Sequence, residues 1–139
     1  MSYDLMVFDP AGPPADRTGF LSWYSDIARW GDGRLASDPS ATAPAVQAWY
    51  RDMIRSYPAV TGPDAAPGRI EERNAEYRFA PKAVFAAFQW EVARPVQLQA
   101  VKLARIHGVG LFEVSGDEGA VWAPDKGAFK LIHKNEEAA

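Results

Sequence analysis

The sequence predicts an α+β fold, in which an antiparallel sheet of four to five strands carries helices packed on one face. Apolar residues alternate with period two in several short segments and recur with helical period in three longer ones. These segments follow one another in the order β-α-α-β-β-α-β-β. The chain has 139 residues, of which 47% are hydrophobic, so it is long enough to bury a core of its own. We expect one domain over residues 1–134 and a frayed tail over 135–139.

The first strand is predicted over residues 3–9. Both of its faces are largely apolar, which is typical of a strand inside a sheet. An amphipathic helix is predicted over residues 16–30, where large apolar side chains recur at helical spacing before Gly31.

A second helix is predicted over residues 43–56, with Thr42 as its cap and Pro44 in its first turn. Residues 61–73 carry glycine, proline and charged side chains. They predict a loop, and they are the best candidate for a mobile insertion.

The second half of the chain predicts strands over 76–80 and 84–90, followed by a helix over 94–107 that Gly108 ends. Strands are then expected over 109–115 and 120–123, with a hairpin turn at 116–119, and residues 129–134 are a candidate for a final short strand that this order does not count. Without the second helix and the last strand, the order is β-α-β-β-α-β, the ferredoxin-like plan.

Two segments carry a resemblance to a known family. The opening YDLMVFDP of residues 3–10 and the later HGVGLFEVS of residues 107–115 resemble the ends of a family of small bacterial proteins. The similarity extends to FLSWY at residues 20–24. No activity is established for that family, so the resemblance implies a stand-alone bacterial cytoplasmic domain and brings no catalytic residue or cofactor.

Composition excludes several kinds of chemistry. The sequence has no cysteine and two histidines, which removes thiol nucleophiles, iron–sulfur clusters and a three-histidine zinc site. Its 15 basic and 18 acidic residues give a net charge of −3, which argues against non-specific nucleic-acid binding. No apolar stretch is long enough to span a bilayer, and the start has no basic signal-peptide region. We therefore expect a cytoplasmic protein with no cofactor and no metal.

The main candidate for polar chemistry is His107, at the end of a predicted helix. With Asp9 and Glu113 it forms an alternative ligand site, which loop 61–73 would cover as a lid. The favoured interpretation of His107 is structural, because a histidine there satisfies the last helix carbonyls. Ser115 follows Glu113, but no Gly-x-Ser-x-Gly motif supports a serine nucleophile.

Exposed acidic and aromatic residues predict a partner-binding surface. Its candidate members are Trp30, Asp32, Asp38, Asp64, Glu71, Glu72, Glu76 and Trp122. The first hypothesis is a non-catalytic protein-binding domain, most concretely an immunity protein that neutralises a basic toxin in the cytoplasm. The alternative is a small enzyme or ligand-binding protein with a cleft near His107. A homodimer through an edge strand at 120–123 is compatible with both hypotheses.

Overall fold

In a computed structural model, described over residues 2–29, 35–65 and 71–134, the chain forms a six-stranded antiparallel sheet and three α-helices. The strands are β1 (Ser2–Phe8), β2 (Ala75–Ala80), β3 (Ala83–Gln89), β4 (Gly110–Glu113), β5 (Val121–Asp125) and β6 (Ala128–His133). The helices are α1 (Arg17–Ala28), α2 (Pro44–Met53) and α3 (Ala93–His107). Short 3₁₀ turns lie at Pro39–Ala41, Glu71–Arg73 and Trp90–Val92. The α+β class and the antiparallel sheet are confirmed.

The strand order is β2-β3-β1-β4-β5-β6. The ferredoxin-like plan matches only roughly, since β5 and β6 extend the sheet beyond β4 and α2 is inserted between α1 and β2. The sheet therefore has six strands in the described residues, where four to five were expected. The additional strand is β6, at the candidate segment 129–134, and the turn after Asp125 brings Ala128 back to pair with β5.

The helices cover both faces of the sheet, so the expectation that they pack on one face is wrong. Leu5 and Val7 of β1 belong to the core beneath α2 and α3, whereas Met6 and Phe8 pack against α1. Both sets are buried. The physical reason is visible in β1 itself, because a strand that is apolar on both faces needs cover on both.

The two cores are held differently. Beneath α2 and α3, the Trp49 indole donates a hydrogen bond to the Ala100 carbonyl (3.1 Å), which joins the two helices through a buried contact. Beneath α1, the Phe20 ring meets Phe8 and Phe112 edge-on at 5.2 and 5.4 Å. Edge-on aromatic pairs stabilise a core beyond the area that they bury.

Several predicted boundaries shift by one to three residues. Ala43 is the N-cap of α2, and the predicted cap Thr42 instead donates its hydroxyl to the Ala83 carbonyl (3.3 Å). Trp90 leaves β3 and begins a 3₁₀ turn. Gly108 ends α3 in the left-handed conformation (φ 69°), as predicted. The predicted end of α1 at Trp30, the centre of loop 61–73 and the tail 135–139 fall outside the described residues.

The sheet has two unlike edges. Along β2, Ala36 pairs with Phe79, and Pro58 and Val60 bond to Ala75, so loop segments cover this edge. The expected edge at 120–123 is not an edge, because β5 pairs with both β4 and β6. The outer strand on that side is β6.

Candidate functional site

The predicted ligand site at Asp9, His107 and Glu113 does not assemble. Glu113 accepts a hydrogen bond from Gln97, which lies ten residues before His107 on α3, or about 15 Å along the helix axis. Glu113 also pairs with Leu5, four residues before Asp9, so about 13 Å of strand separates those carboxylates. Glu113 therefore lies at one end of the sheet, and Asp9 and His107 lie towards the other.

Asp9 and His107 each have a local partner. The Asp9 carboxylate accepts the Ala11 backbone amide (2.9 Å) and closes the turn after β1. His107 Nε2 lies 2.6 Å from Asp52 Oδ2, and this half-buried pair joins the ends of α2 and α3. His107 is therefore satisfied by a neighbouring helix, where the sequence favoured the carbonyls of its own helix.

The acidic residues predicted to bind a partner are exposed wherever their side chains are described. Trp30, Asp32 and the side chain of Glu71 fall outside the described part of the chain. The exposed carboxylates are those of Asp38, Asp64, Glu72 and Glu76.

Two of these carboxylates also stabilise local structure. Asp38 accepts the Ser40 backbone amide (2.9 Å) at the start of a 3₁₀ turn, and this hydrogen bond lowers the pKa of Asp38. Asp64 accepts the Tyr50 hydroxyl (2.8 Å). Burial, and then this hydrogen bond, raise the pKa of Tyr50. Asp38 and Asp64 therefore hold the loops beside β2.

Trp122 does not belong to the same surface. Its ring is half-buried and stacks on Phe129, with centroids 6.4 Å apart and planes 13° from parallel. It lies on β5, four strand positions from β2, or about 19 Å across the sheet. Trp122 therefore contributes to packing between β5 and β6.

Three clefts open at one end of the sheet, where β1 and β2 begin and β3 and β4 end; we refer to it as the cleft end. The first, of about 300 Å³, lies between the sheet and α1 and is lined by Asp4, Tyr24, Glu76 and Arg78 among others. The second, of about 260 Å³, lies beside Asn74 and Gln89. The third, of about 300 Å³, lies between β1, β4 and the start of α3.

In the first cleft, charged groups of both signs lie beside the aromatic rings of Tyr24 and Phe85. Burial, and then the nearby Asp4 carboxylate, raise the pKa of Tyr24. Glu76 and Arg78 project from β2 on the same face of the sheet. Such a site presents hydroxyl, carboxylate and guanidinium groups to a ligand.

In the third cleft, a carboxylate is held in place beside an exposed indole. Glu113 Oε2 accepts hydrogen bonds from the Tyr3 hydroxyl (2.9 Å) and from Gln97 Nε2 (3.0 Å). Burial, and then the negative charge of Glu113, raise the pKa of Tyr3. Trp90 is 46% exposed and meets the Tyr3 ring edge-on.

The cleft end is acidic. Among the described residues that line the three clefts, carboxylates stand at Asp4, Glu76, Glu113 and Asp117 and guanidinium groups at Arg78 and Arg94. This gives a net charge of −2 (four carboxylates against two arginines). Glu72 and Arg73, of opposite charge, lie in the adjoining 3₁₀ turn, which packs against the turn that carries Trp90.

Sequence reasoning missed Trp90 because it assigned this residue to a strand, on the same face as Phe88. Glu91, directly after Trp90, and Pro95, at a helix start, were signals that the strand ended earlier. Tyr3 was assigned to the correct strand, but its bond to Glu113 spans 110 residues and depends on the pairing of β1 with β4.

Comparison with models of protein families, with curated proteins and with solved structures finds no match. The function is therefore inferred from the chemistry of the site. Within the described residues, no helix is long and apolar enough to cross a bilayer. In the same part of the chain, no three histidine, aspartate or glutamate side chains come together as a metal site would require.

Proposed function

We propose that this protein is a non-catalytic, cytoplasmic protein-binding domain that uses the cleft end to hold a basic partner. The most concrete form of the proposal is an immunity protein that binds and neutralises a cognate bacterial toxin. The observation that carries it is the excess of carboxylates around the three clefts at this end of the sheet, with the exposed ring of Trp90 in the third. Neither nucleic acid nor a membrane is proposed as a partner.

The electrostatics support a protein partner. Carboxylates at the rim of an interface attract a basic surface and accelerate its association, most strongly at low salt. Exposed tryptophan is enriched among the residues that dominate binding energy. Glu72 and Glu76 are exposed near this end, so they are available to steer a basic partner towards the clefts.

The ordered backbone and side chains of this surface also support its proposed role in binding. Glu76 lies on β2, whose hydrogen bonds to β3 and to the covering loops fix the backbone. Glu113 is fixed by two donors. A surface that is already ordered loses little conformational entropy when a partner binds.

The test is affinity capture from the native host at low salt, followed by reconstitution from purified proteins. We expect one stoichiometric partner that carries a toxin domain with a basic surface. Adding the purified protein should abolish that partner's toxic activity at a one-to-one ratio. A partner whose activity is unchanged in the complex would contradict neutralisation, and no stoichiometric complex with any co-expressed toxin candidate would contradict the proposal.

The alternative is a protein that binds a small ligand in the first cleft. Its volume of about 300 Å³ is at the lower limit for ligand sites, and Asp4, Tyr24 and Arg78 supply polar groups of both signs. The first cleft lies at the opposite end of the sheet from His107, where the sequence predicted the ligand site. A library screen by thermal shift discriminates the two, since a ligand for this cleft should raise Tm, and Arg78→Gln should remove the effect.

A further inference from the structure

The third cleft pairs a fixed carboxylate with an exposed aromatic ring. Both of its described donors, Tyr3 and Gln97, bind the same oxygen of Glu113, Oε2. No described residue donates a hydrogen bond to Oε1. One oxygen thus orients the group, while the other keeps its capacity to accept from a ligand.

Trp90 supplies the second element of the cleft. Its edge-on contact with Tyr3, at 6.4 Å between centroids, places the indole beside the residue that holds Glu113. Almost half of the Trp90 surface remains exposed. Tryptophan is the aromatic side chain that attracts a cation most strongly over its face.

A third group, Asp117, lines the same cleft from the hairpin turn after β4. Arg94 lines it from the first turn of α3, but it forms no ion pair with Glu113 or Asp117 among the described contacts. The cleft therefore contains two carboxylates and one competing cation, so it favours a positively charged ligand.

We infer that the third cleft binds the guanidinium group of an arginine side chain between Trp90 and Glu113. A planar guanidinium can stack on an indole while its N–H groups bond to a carboxylate, a combination that a lysine ammonium achieves less well. That this arginine belongs to a protein partner rests on the proposed function. The cleft is then the anchor of the interface, and the outer carboxylates steer the approach.

The test titrates the full-length protein with Nα-acetyl-arginine methylamide and follows the tryptophan indole N–H signals by NMR. The matched control ligand is Nα-acetyl-citrulline methylamide, which has nearly the same shape without the charge. We expect the Trp90 signal to shift saturably with the arginine probe, while the packed Trp122 signal stays in place. The citrulline probe should bind at least about fivefold more weakly.

Three variants locate the site. Glu113→Gln keeps an oxygen that accepts from Tyr3 and Gln97 but removes the charge, and it should weaken the arginine probe about fivefold. Trp90→Leu, at an exposed position, should also weaken it, as read from backbone amide shifts. Arg94→Gln removes the competing cation and should tighten binding. Unchanged melting temperatures would confirm that the variants are folded.

The inference is overturned if citrulline binds as well as arginine, or if folded Glu113→Gln and Trp90→Leu leave the affinity unchanged. Tighter binding of agmatine, a free guanidinium amine, than of the peptide-like probe would contradict a side chain as the source. If Glu76→Lys weakens the affinity for the captured partner and Glu113→Gln does not, this anchor is contradicted and the proposed function is left intact. If the arginine probe binds as expected but no protein partner can be captured, the anchor stands and the proposed function is contradicted.

Discussion

At the scale of single residues, the backbone of β4 at Gly110 lies directly against the ring of Phe8. Gly110 lies directly opposite Phe8 in the pairing of β1 with β4. A Cβ at this position would lie 2.2 Å from the Phe8 ring. The Phe8 ring is fully buried among other aromatics, so it cannot move aside without disturbing them.

We therefore predict that Gly110→Ala lowers the free energy of unfolding by about 3 kcal/mol, because it overpacks a dense core. Gly108→Ala is the matched control. Gly108 has a positive φ of 69° but open space around it. Gly108→Ala should therefore lower the free energy of unfolding only through backbone strain, by roughly 1–2 kcal/mol. Urea unfolding measures both, and equal losses would show that contact with Phe8 is not the cause.

His133 makes stability depend on pH. Arg17 Nη1 donates to His133 Nδ1 (3.0 Å) and to the Gly119 carbonyl (2.7 Å), while His133 Nε2 is buried without a partner among the described residues. Burial, and then the Arg17 charge, lower the pKa of His133 below its usual 6.5, against a smaller opposing effect of Asp16. The folded state thus favours the neutral imidazole.

Because the unfolded chain binds this proton more readily, the contribution of His133 is fully present above pH 6.5 and is lost as the pH falls towards the folded pKa. Urea unfolding at neutral and mildly acidic pH should show a larger loss for the wild type than for His133→Leu. An identical pH dependence in the two proteins would contradict this assignment.

The residue-scale predictions failed where a contact joins distant segments. The sequence identified His107 as a structural residue at a helix end. Its partner Asp52 stands 55 residues away, and the contact exists only because α2 packs on α3. Local spacing describes a helix and its ends, but it does not give the orientation of two helices.

At the scale of elements, the sequence predicted most helices and strands to within a few residues, because hydrophobic period and glycine or proline signals are local. It assigned all the helices to one face of the sheet, which is wrong. The alternation of Leu5 and Val7 with Met6 and Phe8 already indicated two buried faces. The ferredoxin-like plan, with helices on one face, overrode that signal.

Packing on the second face gives a direct test. Phe20 is fully buried between α1 and the sheet, so Phe20→Ala should cost about 3–5 kcal/mol through lost burial and a residual cavity. Leu98→Ala on α3, where the side chain is 67% exposed, should change stability by less than about 0.5 kcal/mol. Chemical denaturation measures both, and a small loss for Phe20→Ala would mean that α1 is not docked on this face.

At the scale of the whole molecule, the sequence predicted which residues are charged but not where they converge. Of the predicted partner-binding residues, Glu72 and Glu76 lie near the cleft end, while Trp122 lies on β5. Glu113 was predicted as part of a different site and belongs to the same end. Strand order brings these residues together, and strand order depends on pairings between residues far apart in the chain.

In the proposed function, the acidic cleft end attracts a basic protein partner. The most direct measurement is the association rate of the captured partner with wild type, Glu76→Lys and the control Asp125→Lys, at low and high salt. Asp125 is exposed at the end of β5, beside the outer strand β6, and forms an ion pair only with Lys130 (3.8 Å) among the described residues.

We expect Glu76→Lys to slow association by about three- to tenfold at low salt, with a smaller effect at high salt, because screening weakens steering. Asp125→Lys should leave the rate nearly unchanged. Equal rates for wild type and Glu76→Lys at low salt, or equal slowing by both variants, would contradict the assignment of the partner to the cleft end.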